Sequence, residues 1–395
     1  MTIRLSNRVQ AVKPSPTLAI TARAAALRAE GKDVIGLGAG EPDFDTPEHI
    51  KEAARQAIAD GKTKYTAVDG TASLKQAVID KFKRDNGFDY AADQILVSCG
   101  GKQSFYNLAQ ALLDPGDEVI IPAPYWVSYP DMSILAGGVP VLVHATAKQQ
   151  FKITPAQLRG ALTPNTRLFV INSPSNPTGM AYTAKELAAL GEVLREHPKV
   201  VIATDDMYEH IRWNTDEPFV NILNACPDLA NRTLVLNGVS KAYAMTGWRI
   251  GYAGGPAEII KAMKKIQSQS TSNPTSISQY AAEAALNGPQ DCIGKMLVQF
   301  QKRHDYVVHR LNGMPGIDCL STDGTFYVFP SVTGLIDAVD GVTDDLQLAE
   351  HLIERAGVAL VPGTAFGLSG HARISIATSM ENLESALDRI ERVIG

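Results

Sequence analysis

Val200-Val201-Ile202-Ala203-Thr204-Asp205-Asp206 is an apolar run that ends abruptly in two carboxylates. A strand covered on both faces reads as such an unbroken run, whereas a strand with one wet face alternates apolar and polar residues. Runs of the same kind recur at 94–98, 118–122, 168–172 and 233–236, with helical periodicity between them. This alternation predicts an α/β fold whose large domain has a mostly parallel sheet covered by helices on both sides. Upstream, 17–30 reads as an amphipathic helix ended by Gly31, followed by a short strand at 34–37 and the turn-rich Gly38-Ala39-Gly40-Glu41-Pro42. Beyond about 285 the pattern changes to a long amphipathic helix at 291–311, strands at 324–329, 358–361 and 372–376, and a terminal helix. Strands with fewer helices between them predict a smaller α+β domain. The expected division is a large domain over 48–285, with 1–47 as an N-terminal arm joining 286–395 in the small domain.

With 395 residues, 45% of them apolar, the chain can bury more than one average core, so two domains are expected. A net charge of −5 without a block of like charge gives no footprint for nucleic acid. The four cysteines, Cys99, Cys226, Cys292 and Cys319, form no CxxC pair and no metal-ligand spacing, which predicts buried, reduced thiols. No secretory h-region opens the chain and no apolar stretch reaches the ~18 residues of a membrane helix. A cytoplasmic protein without a membrane partner is expected. The eight histidines include no HExxH, so no metal site is expected.

Five constellations carry chemistry. Ser98-Cys99-Gly100-Gly101-Lys102-Gln103-Ser104 lies between a strand and a helix. Two glycines there let backbone N–H groups approach an anion at a helix N-terminus. It is not a Walker loop, because Leu96 stands where the first glycine belongs and Gln103 where Ser or Thr is required. A tight turn that needs glycine explains it equally well. Asp205 and Asp206 end a strand at the edge where open sheets bind ligands, although an Asp there also serves as a helix N-cap. Asn172-Ser173-Pro174-Ser175-Asn176-Pro177-Thr178-Gly179 fixes an irregular loop after another strand. Lys241, in Ser240-Lys241-Ala242-Tyr243-Ala244-Met245-Thr246-Gly247-Trp248-Arg249-Ile250-Gly251, follows a further strand, and poor solvation there favours its neutral, nucleophilic amine; a surface lysine is the alternative. Arg373, inside the strand pattern Ala372-Arg373-Ile374-Ser375, suits bidentate binding of a carboxylate or an internal ion pair.

In this order and spacing, with AGEPDF, KYT, GGKQ, PYWVSYP, SPSNPTG, TDDMYEH, SKAYAMTGWRIG and ARIS, the sequence resembles the fold-type I, class I aminotransferases, in particular the bacterial aspartate aminotransferase subgroup. The resemblance spans essentially the whole chain. It implies pyridoxal 5'-phosphate as cofactor, with Lys241 its Schiff-base lysine and Asp205 the partner of its ring nitrogen. It places Asn176 and Tyr208 on the phenolic oxygen and Trp126 against the ring face. Gly100, Gly101, Lys102, Ser240 and Arg249 would surround the phosphate, joined by Tyr65 from the second subunit of a homodimer. Arg373, Asn176, the backbone of Gly40 and Trp126 would receive the substrate. Lys241, Asp205 and Tyr208 are the implied catalytic residues.

Two positions depart from the family pattern. Gly238 stands where relatives often carry a hydroxyl on the phosphate, and Ser268 where many place an arginine for a distal carboxylate. Lys102 is the expected replacement for that arginine, assisted by Thr17 and Ser15. The implied activity is transfer of an amino group from aspartate or glutamate to a 2-oxo acid such as 2-oxoglutarate. An aromatic or prephenate aminotransferase is the alternative, and a β-lyase the next. A cofactor-sensing regulator would need a basic helix-turn-helix ahead of the family pattern, which starts here near residue 10.

Overall fold

The computed structural model describes residues 3–14 and 16–394. Its twelve strands are β1 (Ile35–Gly36), β2 (Ile95–Ser98), β3 (Glu118–Ala123), β4 (Val139–His144), β5 (Thr166–Asn172), β6 (Val201–Asp205), β7 (Thr233–Gly238), β8 (Gly251–Gly254), β9 (Tyr327–Val328), β10 (Val358–Ala359), β11 (Val361–Pro362) and β12 (Ala372–Ser375). The central sheet has seven strands in the order β2-β8-β7-β6-β5-β3-β4. Only β8 runs against its neighbours, pairing antiparallel with both β2 and β7. The sheet is therefore mostly parallel, as the apolar runs predict. All five of those runs are strands here.

Two strands of this sheet are absent from the sequence reading. Val139–His144 is an edge strand with a proline and mostly accessible side chains, so it shows no apolar run. Gly251–Gly254 is fully buried but half glycine, which reads as a turn. Its glycines are steric: a Cβ on Gly251 would run into the backbone of Gly100 and Gly101, and one on Gly254 would lie 2.8 Å from the Tyr90 ring. This close approach seats β8 under the N-terminus of the helix Gly101–Leu112.

Helices cover both faces. Ala184–Arg195 shows how sequence sets one of them: Thr183 and Glu186 form a capping box, and Leu187, Leu190, Val193 and Leu194 line the face turned to the core. Each such side chain contributes about 1.5–3 kcal/mol on burial. The core formed with it includes Ile120, Phe169, Ile171 and Ile202 on one sheet face, while Leu96, Val119, Leu168, Val170 and Leu234 pack on the other.

The C-terminal strands form a separate small sheet, β11-β12-β9, and β1 pairs parallel with β10. Around them Phe300, Val307, Phe326, Val358, Ile374 and Leu387 make a core of their own, to which the helices Asp291–Asn312 and Met380–Ile394 contribute. The expected strand at 324–329 is shortened to β9, and 358–361 is split into β10 and β11, which join different sheets. Cys226 and Cys319 are buried, whereas Cys99 and Cys292 are partly accessible; all four are free thiols. Among the described residues no helix is long and apolar enough to cross a membrane.

Candidate active site

Parallel strands deliver their C-terminal ends to one edge, so β2, β6 and β7 bring Ser98, Asp205 and Gly238 to the same side of the sheet. Asp205 pairs in register with Asn172 of β5 on one side and Leu236 of β7 on the other. Strand alternation separates the two neighbouring carboxylates. Asp205 Oδ2 accepts from the Tyr129 hydroxyl at 2.5 Å, and Oδ1 from the Met207 N–H at 3.3 Å. Asp206 is fully buried and accepts instead from Thr204 and Asn221. Burial pushes both carboxyls up, Asp206 to about 8.

Lys241 follows β7 and directs its amine at the carbonyl of Gly40. Enclosure of the amine, and then the nearby Arg373 guanidinium, lower it from 10.5 to about 8. The amine lies over the rings of Tyr208 and Phe326, at 6.0 and 5.7 Å from their centroids. The Tyr208 hydroxyl is 3.2 Å from that of Tyr327. The Tyr327 ring in turn carries the Arg373 guanidinium at 4.3 Å.

Arg373 is 2% exposed, yet among the described residues no carboxylate lies within ion-pair reach of it. It donates from Nη1 to Asn176 Oδ1 at 3.0 Å and from Nη2 to the Gly38 carbonyl at 2.7 Å, and its Nε has no partner. A buried guanidinium held only by neutral acceptors is short of an anion. The Asn172–Gly179 loop, with cis bonds before Pro174 and Pro177, presents Asn176 to it, and Asn172 Oδ1 accepts the Asn176 N–H at 2.8 Å.

A second anion-ready corner lies at the end of β2. Gly100 caps the helix Gly101–Leu112 at φ 89°, and a Cβ there would collide with the Arg249 guanidinium. Arg249, itself at φ 56°, donates to the carbonyls of Thr246 and Cys99, and among the described residues it too has no carboxylate partner. Ser240, which directly precedes Lys241, is buried. Gly238 is tightly packed, since a Cβ would lie 3.0 Å from the Ile250 carbonyl. A hydroxyl side chain of the kind relatives often carry would need β8 to give way by a few tenths of an ångström. Lys102 reaches over Trp126, its Nζ 5.3 Å from the ring centroid, and burial followed by Arg249 lowers its pKa.

The remaining candidates are placed less centrally. The Thr17 hydroxyl is buried without a partner, in the helix Pro16–Ala29 that packs by Gly38. Ser15 lies outside the described residues. Tyr65 is 92% exposed and takes no part in its own chain's enclosed site. Ser268 is exposed and donates to the Lys265 carbonyl. Sequence reasoning missed Tyr129 and Tyr327, although both sit inside motifs it had singled out, PYWVSYP and the strand pattern at 324–329.

An enclosed lysine with its pKa lowered to about 8, two arginines lacking carboxylates and a buried acid thus meet at one sheet edge, an arrangement suited to anionic ligands. Residues 32–390 match the family described as aminotransferase class I and II. The chain belongs to that family. Aspartate/prephenate aminotransferase from Nitrosomonas europaea is 60% identical over 397 residues, covering 99% of this chain and all of that protein. The protein of the same name from Cereibacter sphaeroides is 56% identical, with 98% of each chain covered. Among solved structures, the aspartate aminotransferase from Rhizobium meliloti matches with a TM-score of 0.95 at 52% identity, covering 99% of this chain and 98% of that one. The Thermus thermophilus aspartate aminotransferase with maleate matches at TM-score 0.93 and 44% identity, covering 99% and 100%.

This aminotransferase is a pyridoxal phosphate enzyme. The residues present fit that group. An amine poised near neutrality suits its aldehyde, and Arg249 with the glycine-capped helix start suits its phosphate.

Proposed function

We propose that this aminotransferase moves the amino group of aspartate or glutamate to a 2-oxo acid such as 2-oxoglutarate, by a ping-pong mechanism. The observation that carries the reading is the pairing of the Lys241 amine with the unneutralised Arg373 in one enclosed site. Lys241 would hold the cofactor, Asp205 its ring nitrogen, Asn176 and Tyr208 its phenolic oxygen, and Trp126 its ring face. Gly100, Gly101, Lys102, Ser240 and Arg249 would hold the phosphate. Once bound, pyridoxal phosphate supplies an electron sink for the bond broken at the substrate's Cα.

The protein's own groups do the rest. Arg373, with Asn176 and the backbone of Gly40, orients the α-carboxylate so that the Cα–H bond faces Lys241. The Lys241 amine would take the proton from the substrate's Cα as a base and, once protonated, would serve as the acid that gives it back. Burial alone disfavours the ionised form of Asp205, and a cationic ring nitrogen held by it would offset that penalty and keep the carboxylate charged. Lys102 and Thr17 would meet a distal carboxylate.

The working unit is taken as a homodimer, because an aromatic as exposed as Tyr65 suits a neighbour's site. Residues 48–285 are taken as the cofactor-binding domain, with 1–47 and 286–395 as the small domain, in a cytoplasmic enzyme. Prephenate is the second substrate reading, favoured by the names of the relatives at 60% and 56% identity. A panel of aspartate, glutamate, tyrosine and phenylalanine as donors, with 2-oxoglutarate, oxaloacetate and prephenate as acceptors, tests both readings. Turnover with aspartate and 2-oxoglutarate is expected; its absence would overturn the first.

A further inference from the structure

Directly behind the site, Glu209 is 4% exposed and its carboxylate is shared by three elements. Lys81, itself 1% exposed on the helix Ala72–Lys81, forms an ion pair with it. Asn86 Nδ2 donates to Oε2 at 2.8 Å, and Asn237 Nδ2 donates to Oε1 at 2.8 Å. His210 Nε2 stands 3.3 Å from Glu209 and 3.4 Å from Asp85. Asp85, Glu209 and His210 resemble a ligand set, but the Lys81 ammonium already supplies the cation.

Two of these groups have a particular position in the chain. Glu209 follows Asp205 by one short turn, and Asn237 is the last residue but one of β7, the strand that leads to Lys241. The backbone joins the two strands only as far as the Asp206 N–H, which donates to the Leu236 carbonyl at 2.9 Å. Beyond that point the Glu209–Asn237 contact continues the connection. Asn237 uses both ends of its amide, since its Oδ1 accepts the Gly238 N–H at 2.7 Å. The turn into Ser240 and Lys241 is thereby fixed to the turn out of Asp205.

We propose that Glu209 and Asn237 are positioning residues that set Lys241 against Asp205, acting through this buried bridge rather than by touching cofactor or substrate. The proposal rests on the reading that Lys241 and Asp205 hold the cofactor. A buried carboxylate already neutralised by Lys81 adds little net stability, but it imposes geometry on every donor it collects. Lys81 also holds Glu209 ionised: its charge, His210 and the Asn86 amide keep the acid low although burial opposes them.

The decisive comparison is Asn237→Ala against Asn86→Ala. Each removes one amide donor from the same carboxylate, but only Asn237 lies on the path to Lys241. Three quantities are read: urea stability of the cofactor-free protein, the dissociation constant for pyridoxal phosphate, and the pH midpoint of the bound cofactor's visible band. Both variants should lose similar stability. Only Asn237→Ala should bind the cofactor ~10-fold more weakly, the upper end for one lost hydrogen bond, and move the midpoint by about half a pH unit or more. Asn86→Ala should stay within about twofold and keep its midpoint. Should Asn237→Ala not fold, Asn237→Ser carries the same expectation. Equal behaviour of the two positions toward the cofactor would overturn the bridge. Borohydride trapping of the cofactor on wild-type Lys241 is run alongside: failure there sinks the underlying reading, whereas success with equal variants sinks only the bridge.

Discussion

The pH dependence of cofactor capture is the sharpest consequence of the Lys241 environment. Only the neutral amine attacks an aldehyde, and enclosure together with Arg373 brings this amine from the ordinary lysine value of 10.5 to about 8. At pH 7 about 10% of the amine is then neutral, against ~0.03% for an exposed lysine, a ~300-fold advantage in reactive form. The sign follows directly: raising the pH increases the neutral fraction until the midpoint is passed, after which nothing more is gained. Cofactor-free protein would be mixed with excess pyridoxal phosphate between pH 6 and 10, quenched with borohydride after short intervals, and the label on Lys241 counted by peptide mapping. The initial rate should climb and level off around pH 8. In Arg373→Leu, which removes the second cause of the shift, the plateau should move to higher pH. A rate still climbing tenfold per pH unit at pH 9–10 in the wild type would refute the reasoning, because the amine would then be an ordinary, solvated one.

Lys102→Ser should depress kcat/KM for aspartate by ~10-fold to ~1000-fold, the span for one charged contact, and affect phenylalanine much less; equal losses in steady-state assays would assign Lys102 to the cofactor alone. Asp205→Asn should still bind pyridoxal phosphate but slow single-turnover deamination by about 3–5 kcal/mol of barrier, as expected for removing one member of a buried charge pair, and an unchanged rate would exclude Asp205 as the ring partner. Mixing Tyr65→Ala with Lys241→Ala, each nearly inactive alone, should restore part of the activity, because a hybrid dimer contains one site free of both lesions. Full activity of a demonstrable monomer in sedimentation would refute shared sites.

The parts of the fold that were legible in the sequence are those set by local pattern. Unbroken apolar runs gave five strands of the central sheet, because strands covered on both faces leave little room for polar residues. Gly251–Gly254 escaped for a non-local reason: its glycines answer to Gly100, Gly101 and the Tyr90 ring, far off in the chain, and nothing within four residues distinguishes them from a turn. The candidate site divides the same way. Lys241, Arg373 and the Gly100-Gly101 turn lie in motifs that can be read one at a time, whereas the Lys81–Glu209–Asn237 bridge exists only once a helix, a strand end and a turn have met. The two carboxylates at the end of β6 show where the boundary falls. Sequence places Asp205 and Asp206 equally well at a strand's ligand edge, and either suits a cap. Folding breaks the tie: the pleat sends Asp205 toward Tyr129 and the Lys241 side, and Asp206 toward Thr204 and Asn221, where burial and the charge of Glu209 push it up to about 8. Asp205 faces the charge of Lys241, whereas Asp206 faces those of Glu209 and Lys81, so a cation held beside Lys241 would meet the first carboxylate and not the second. The choice between the two thus depends on which face of the sheet each reaches, and on the charges already waiting there.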